Sequence, residues 1–200
     1  MAVLNPGICG RPARRLKGTL RGRLVLAALL LAAGGGIAAA PAPVTPEYQI
    51  KAVFLFNFGQ FVDWPPQTFP RAQSPLVIGI LGSDPFDSYL DEVVQGEKVN
   101  DHPLVIQRYR RAEDIGSCQI LFISRSEAGR LDRVLAGLKG RSILTVGDTE
   151  DFARRGGMIR FMTVNNKIRL QINVDAARAA ELTISSKLLA PSQIVKTDNS

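Results

Sequence analysis

Beyond residue 46 the apolar positions follow two rhythms, one of three to four residues and one of short unbroken runs. From Glu47 to Asp63 the first rhythm holds: Ile50, Val53, Phe54, Asn57, Phe58, Phe61 and Val62 form a helical stripe interrupted only by Asn57. Leu55 and Phe56 widen the stripe past one face. Such a helix needs two partners, either both inside the domain or one of them another protein. Trp64-Pro65-Pro66 stops it, since proline lacks an N–H and disfavours helical geometry in the residue before it.

The second rhythm then alternates with helical stretches. Leu76–Leu81, bounded by Pro75 and Gly82, reads as a buried strand. Asp84 as cap and Pro85 in the first turn predict a helix to about Val94. Strands are expected at Pro103–Tyr109, Gln119–Ile123 and Ser142–Val146, with a helix over Ser126–Leu138, capped by Ser126 and closed by Gly140. Met158–Val164 and Lys167–Val174 flank Asn165-Asn166, a pair that tolerates the positive φ of a tight hairpin. Helical turns follow at Asp175–Glu181 and Ser185–Ala190. This order predicts a three-layer α/β domain with a mostly parallel, doubly wound sheet of flavodoxin- or Rossmann-like type. About six strands are expected, with a C-terminal antiparallel hairpin at the edge and an extra N-terminal apolar helix. The domain spans 47–190, after a Pro-rich spacer at 41–46 and before a tail at 191–200.

Charge changes the picture only at the front. The formal net charge of the 200-residue chain is +7, yet residues 1–40 hold six basic side chains and no acid. The remainder is nearly balanced, with no basic surplus to neutralise phosphates, so nucleic-acid binding is excluded. Arg11 to Arg23 precede the apolar run Leu24–Ala33 and small residues to Ala40, the pattern of a signal peptide over 1–40. As a helix the run with its glycines reaches about 21 Å, short of a bilayer core of about 30 Å. Cleavage is expected near Ala39 to Ala42, giving a periplasmic chain without a transmembrane segment. Cys9 leaves with the leader. Cys118 then has no partner for an internal disulfide and reads as a buried apolar group.

Catalytic chemistry is sparse. His102 is the one histidine, so zinc sites and Cys/His nucleophilic sites lack their ligands and bases. There is no Gly-x-Ser-x-Gly elbow, no Walker-type cradle and no dinucleotide fingerprint. No enzyme activity, metal or cofactor is therefore expected. The rule for doubly wound sheets puts ligands beyond the carboxyl ends of the strands. There stand Ser83 and Asp84, Ser124 and Arg125, and Asp148, which suit a small anion or metabolite bound without being transformed, or else serve as capped loops.

Val53-Phe54-Leu55-Phe56-Asn57-Phe58-Gly59-Gln60-Phe61-Val62-Asp63-Trp64-Pro65 resembles the opening signature of the YfiR family. Further similar blocks are Leu76–Gly82, Cys118–Ser124, Gly140–Val146, Ile172-Asn173-Val174-Asp175 and Leu182–Leu189 with its Ser185-Ser186. The resemblance implies a soluble, non-catalytic periplasmic protein that represses a membrane-bound diguanylate cyclase through its periplasmic sensor domain. Release of the cyclase raises cyclic di-GMP and promotes biofilm formation. A sensor kinase is the other implied partner, and a homodimer is compatible with the pattern. Phe54, Phe58, Phe61 and Trp64 are the candidate partner anchors, or else core residues. Well-known members of the family carry cysteine pairs, whereas here Cys118 stands alone and the strand where a partner cysteine would be sought reads Val77-Ile78-Gly79-Ile80. Redox control through an internal disulfide is not available to this chain.

Overall fold

The computed structural model describes residues 44–198. The leader at 1–40 and its cleavage site, with the first residues of the spacer, lie outside them.

Helix α1 (Pro46–Phe61) opens with proline at its first position and Glu47 in its first turn, where a fixed φ and a carboxylate both suit a helix start. It ends before Trp64 because Val62–Asp63 turn extended as β1 and pair with β9 (Thr183–Ile184). The buried positions are Lys51, Ala52, Leu55, Phe58 and Gly59. The expected stripe is therefore split: Phe58 and Val62 are buried, Ile50 and Val53 face outward, and Leu55 from beside the stripe is buried instead.

The main sheet has eight strands. In chain order they are β2 (Leu76–Leu81), β3 (Lys98–Val99), β4 (His102–Tyr109), β5 (Ile120–Ile123), β6 (Leu144–Gly147), β7 (Ile159–Val164), β8 (Lys167–Asn173) and β10 (Gln193–Val195). Their spatial order is β10-β8-β7-β6-β5-β2-β4-β3, and β4, β2, β5, β6 and β7 are mutually parallel. Taken alone, those five have the 2-1-3-4-5 order of flavodoxin-like winding, with the reversal between β2 and β5.

Alternate residues feed two cores. Ile78, Ile80, Ile120, Phe122, Leu144 and Val146 pack with α1, with α2 (Ser88–Val94) and with α4 (Val174–Ala179). Leu81, Leu121 and Ile123 pack with α3 (Leu131–Gly137) on the opposite side. Helices on both faces explain the unbroken apolar strands.

Four local expectations are corrected. Two short strands, β3 and β10, extend the expected six. The antiparallel β7–β8 hairpin is not the edge, because β10 adds outside it in parallel from residues read as tail. Asp84 does not cap a helix: its Oδ1 accepts the Phe86 N–H at 2.7 Å, a local turn, and α2 starts later at Ser88. Ser124, not Ser126, caps the next helical segment, which opens as a 3₁₀ stretch at Arg125–Arg130. The short α5 (Ser186–Leu189) ends before Pro191.

Candidate functional site

Parallel winding brings the carboxyl ends of β2, β5 and β6 to one edge, and with them all five strand-end candidates. They form three clusters. At the reversal, the Ser83 N–H donates to Ser126 Oγ at 3.0 Å, and the Ser124 N–H donates to the Leu81 carbonyl. A Cβ on Gly82 (φ +89°) would sit 2.3 Å from Ser126 Oγ and 2.8 Å from Glu127 Oε1, so this crevice is filled by the chain's own side chains. Glu127 is buried and pairs with Arg130. Asp84 is held by Arg108, whose Nε is 2.7 Å from Oδ2 and which also reaches Asp91.

The third cluster is centred on Asp148, whose side chain is 1% exposed. Its Oδ2 accepts from Lys51 Nζ at 2.6 Å and from the Tyr48 hydroxyl at 2.8 Å. Arg125 Nε lies 3.2 Å from Oδ1 without an aligned hydrogen bond, so that oxygen is held by charge alone. The Lys51 ammonium also touches Glu47 Oε1 at 2.6 Å and stands 4.3 Å from the centre of the Tyr48 ring. Tyr48 in turn meets Phe86 edge-on, at 5.5 Å between ring centres. Burial, then the hydrogen bond to Asp148, pushes the Tyr48 phenol well up. The Lys51 ammonium hydrogen-bonded to Glu47 holds that carboxyl below its usual range.

A buried charge persists only where it is paired and hydrogen-bonded, and this one is. Lys51 thus sits, as an internal cation, at the carboxyl end of β6, one strand beyond the winding reversal. Arg125 remains largely exposed at the rim. Lys51 and Tyr48 were missed by reasoning from strand ends alone. The available signal was a lysine four residues after Glu47, beside the apolar stripe. Elsewhere, a cleft of about 630 Å³ runs between α3, α4 and residues 155–158, but none of the five candidates lines it. No group of three or more His, Cys, Asp or Glu is placed to hold a metal ion among the described residues.

The aromatic candidates divide. Phe58 is fully buried, stacked on Phe161 at 5.8 Å, and its place is the core rather than a contact surface. Phe54, half-buried, leans on both Phe58 and Phe161. Phe61 is half-buried. Trp64 packs edge-on against Phe69, which itself stacks on His102. The outer face of α1 instead exposes Ile50 at 46% and Val53 at 42%.

Cys118 lies in the second core, with burial pushing its thiol up to about 12. A Cβ on Gly79 would stand 2.8 Å from its sulfur, so the neighbouring strand offers glycine where a second thiol would be needed for a bridge.

This geometry defines a doubly wound α/β protein in which a lysine of the first helix meets the carboxyl end of β6, with apolar side chains left on that helix's outer face. The chain belongs to the YfiR/HmsC-like family, whose model matches residues 48–192, from inside α1 to just before β10. The family is one of periplasmic, non-catalytic regulators that work with membrane signalling proteins. No curated protein matches the chain. No helix among the described residues is long and apolar enough to cross a membrane.

Proposed function

We propose that this protein, exported by cleavage of its leader near Ala39 to Ala42, binds the periplasmic sensor domain of an inner-membrane diguanylate cyclase and holds it inactive, lowering cyclic di-GMP. The observation that carries this reading is the exposed apolar pair Ile50 and Val53 on α1, flanked by half-buried Phe54 and Phe61. An apolar strip left on a helix whose other side is fully packed is the kind of surface that a partner macromolecule covers, and it supports this reading. Phe54 and Phe61 remain candidate anchors on α1, with Trp64 a further one beyond the end of the helix. Repression requires that the protein prefer the inactive cyclase, by about 1–3 kcal/mol for typical coupling. A periplasmic sensor kinase fits the same surface.

Ligand binding at Ser83, Asp84, Ser124, Arg125 and Asp148 is the weaker reading, because Ser126, Arg108 and Lys51 already engage the Ser83 N–H, Asp84 and Asp148 Oδ2, leaving Arg125 as the exposed charge. The test is deletion of the gene followed by complementation. Cyclic di-GMP rises on deletion and returns to baseline with the wild-type chain, which co-purifies with the cyclase. An unchanged nucleotide level, with no cyclase or kinase bound, overturns the proposal.

A further inference from the structure

The β7–β8 hairpin outreaches its neighbours. Strand β6 pairs with β7 only at Val146–Ile159 and Gly147–Arg160, and β10 covers β8 only at Gln171 to Asn173. The outer half of β8, Lys167 to Leu170, therefore has β7 on one side and no strand on the other among the described residues. The register sets Arg160 opposite Gln171, Met162 opposite Arg169 and Val164 opposite Lys167, so these six share one face. It is the face turned away from Phe161 and Leu170, which pack in the core with α1.

Lys167 and Arg169 are exposed, and Val164 is 47% exposed between them and the tip. Arg160, Lys167 and Arg169 form no ion pair among the described residues, and no acid stands on this face of either strand. The arm is also preformed: Asn165 and Asn166 (φ 50° and 57°) close it in a tight two-residue turn. A partner therefore meets a surface that needs little ordering on binding.

We propose that this arm docks an acidic, extended segment of the partner protein, which pairs its backbone with Lys167–Leu170 and sets carboxylates against Lys167 and Arg169. Cations alone attract any polyanion. The open edge adds a row of N–H and C=O groups that an added strand satisfies and a lipid headgroup does not. This inference rests on the regulatory reading above and names the chemistry of its partner.

The test titrates the full exported chain with a synthetic peptide of alternating Glu and Val. The comparisons are its Lys/Val counterpart and vesicles of phosphatidylethanolamine with phosphatidylglycerol. Expected are amide-exchange protection confined to Lys167–Leu170 with the acidic peptide alone, and affinity that falls with salt. Affinity also drops by about tenfold or more in K167E/R169E. Absent protection at these amides overturns the inference. So does binding to vesicles but not peptide, or a K167E/R169E variant altered only in self-association, in which case the cations merely guard an edge. In cells, K167E/R169E is expected to lose repression with an unchanged melting midpoint. Full repression by that variant removes the arm from the account and leaves the regulatory function standing. A nucleotide level indifferent to deletion of the gene strikes the regulatory function itself.

Discussion

The two faces of α1 carry opposite chemistry from what their surroundings ordinarily select. The inner face buries a lysine among Ala52, Leu55 and Phe58, while the outer face leaves Ile50 and Val53 in solvent. Leu55 and Phe58 seat the inner face by apolar burial, yet burial alone would not place a lysine beside them. What makes the buried lysine tolerable is Asp148 at the end of β6, which gives it a counter-charge, with Tyr48 and Glu47 completing the cation's contacts. At the other end Gly59 lets the helix pack closely, since a Cβ there would come within 3.2 Å of Val99. The lesson is that an ion pair lets a helix bury a cation on its packed face while apolar residues stay on its outer one.

The comparison breaks most visibly at the ion pair. Lys51→Met leaves Asp148 buried without its main counter-charge and is expected to cost about 3–5 kcal/mol in urea unfolding. The double variant Lys51→Met/Asp148→Leu is expected to cost much less than the single one, since no unpaired charge remains. A double variant as unstable as the single would show that lost packing, not the unpaired charge, sets the cost. Phe58→Ala is expected to cost a similar amount, about 3–5 kcal/mol, as a cavity between Phe54 and Phe161.

Acid provides a gentler probe. The Glu47 carboxyl is held low by Lys51, so its contribution is present above its ordinary value of 4.5 and is lost as pH falls through the lower folded value. The melting midpoint should therefore decline on acidification below about pH 4.5, and Glu47→Gln should flatten that part of the profile. Smallest of all is the response of Cys118: with its thiol raised to about 12, it should stay unreactive toward thiol reagents at neutral pH until the protein unfolds. Labelling of the native protein would contradict its burial.

The parallel strands and the hairpin were legible because unbroken apolar runs and Asn165-Asn166 are local signals. The buried lysine of α1 was not, because it depends on a contact between residues 97 apart in sequence. Likewise β10 is three residues long and gains its identity only beside β8. The strand-end rule singled out Asp148 but none of the contacts that bury it. It did not reveal that the chain's own lysine pairs with that carboxylate, since the rule describes where ligands sit and not which helix folds back over a strand end.

The most direct test of the account is repression by Ile50→Glu/Val53→Glu in cells that lack the native gene. Both side chains are nearly half exposed and lie outside the core, so the stability change should stay within about 1 kcal/mol. Cyclic di-GMP should nevertheless stay at the level of the deletion strain. A stable double variant that restores the wild-type level would contradict the claim that the outer face of α1 meets the signalling partner.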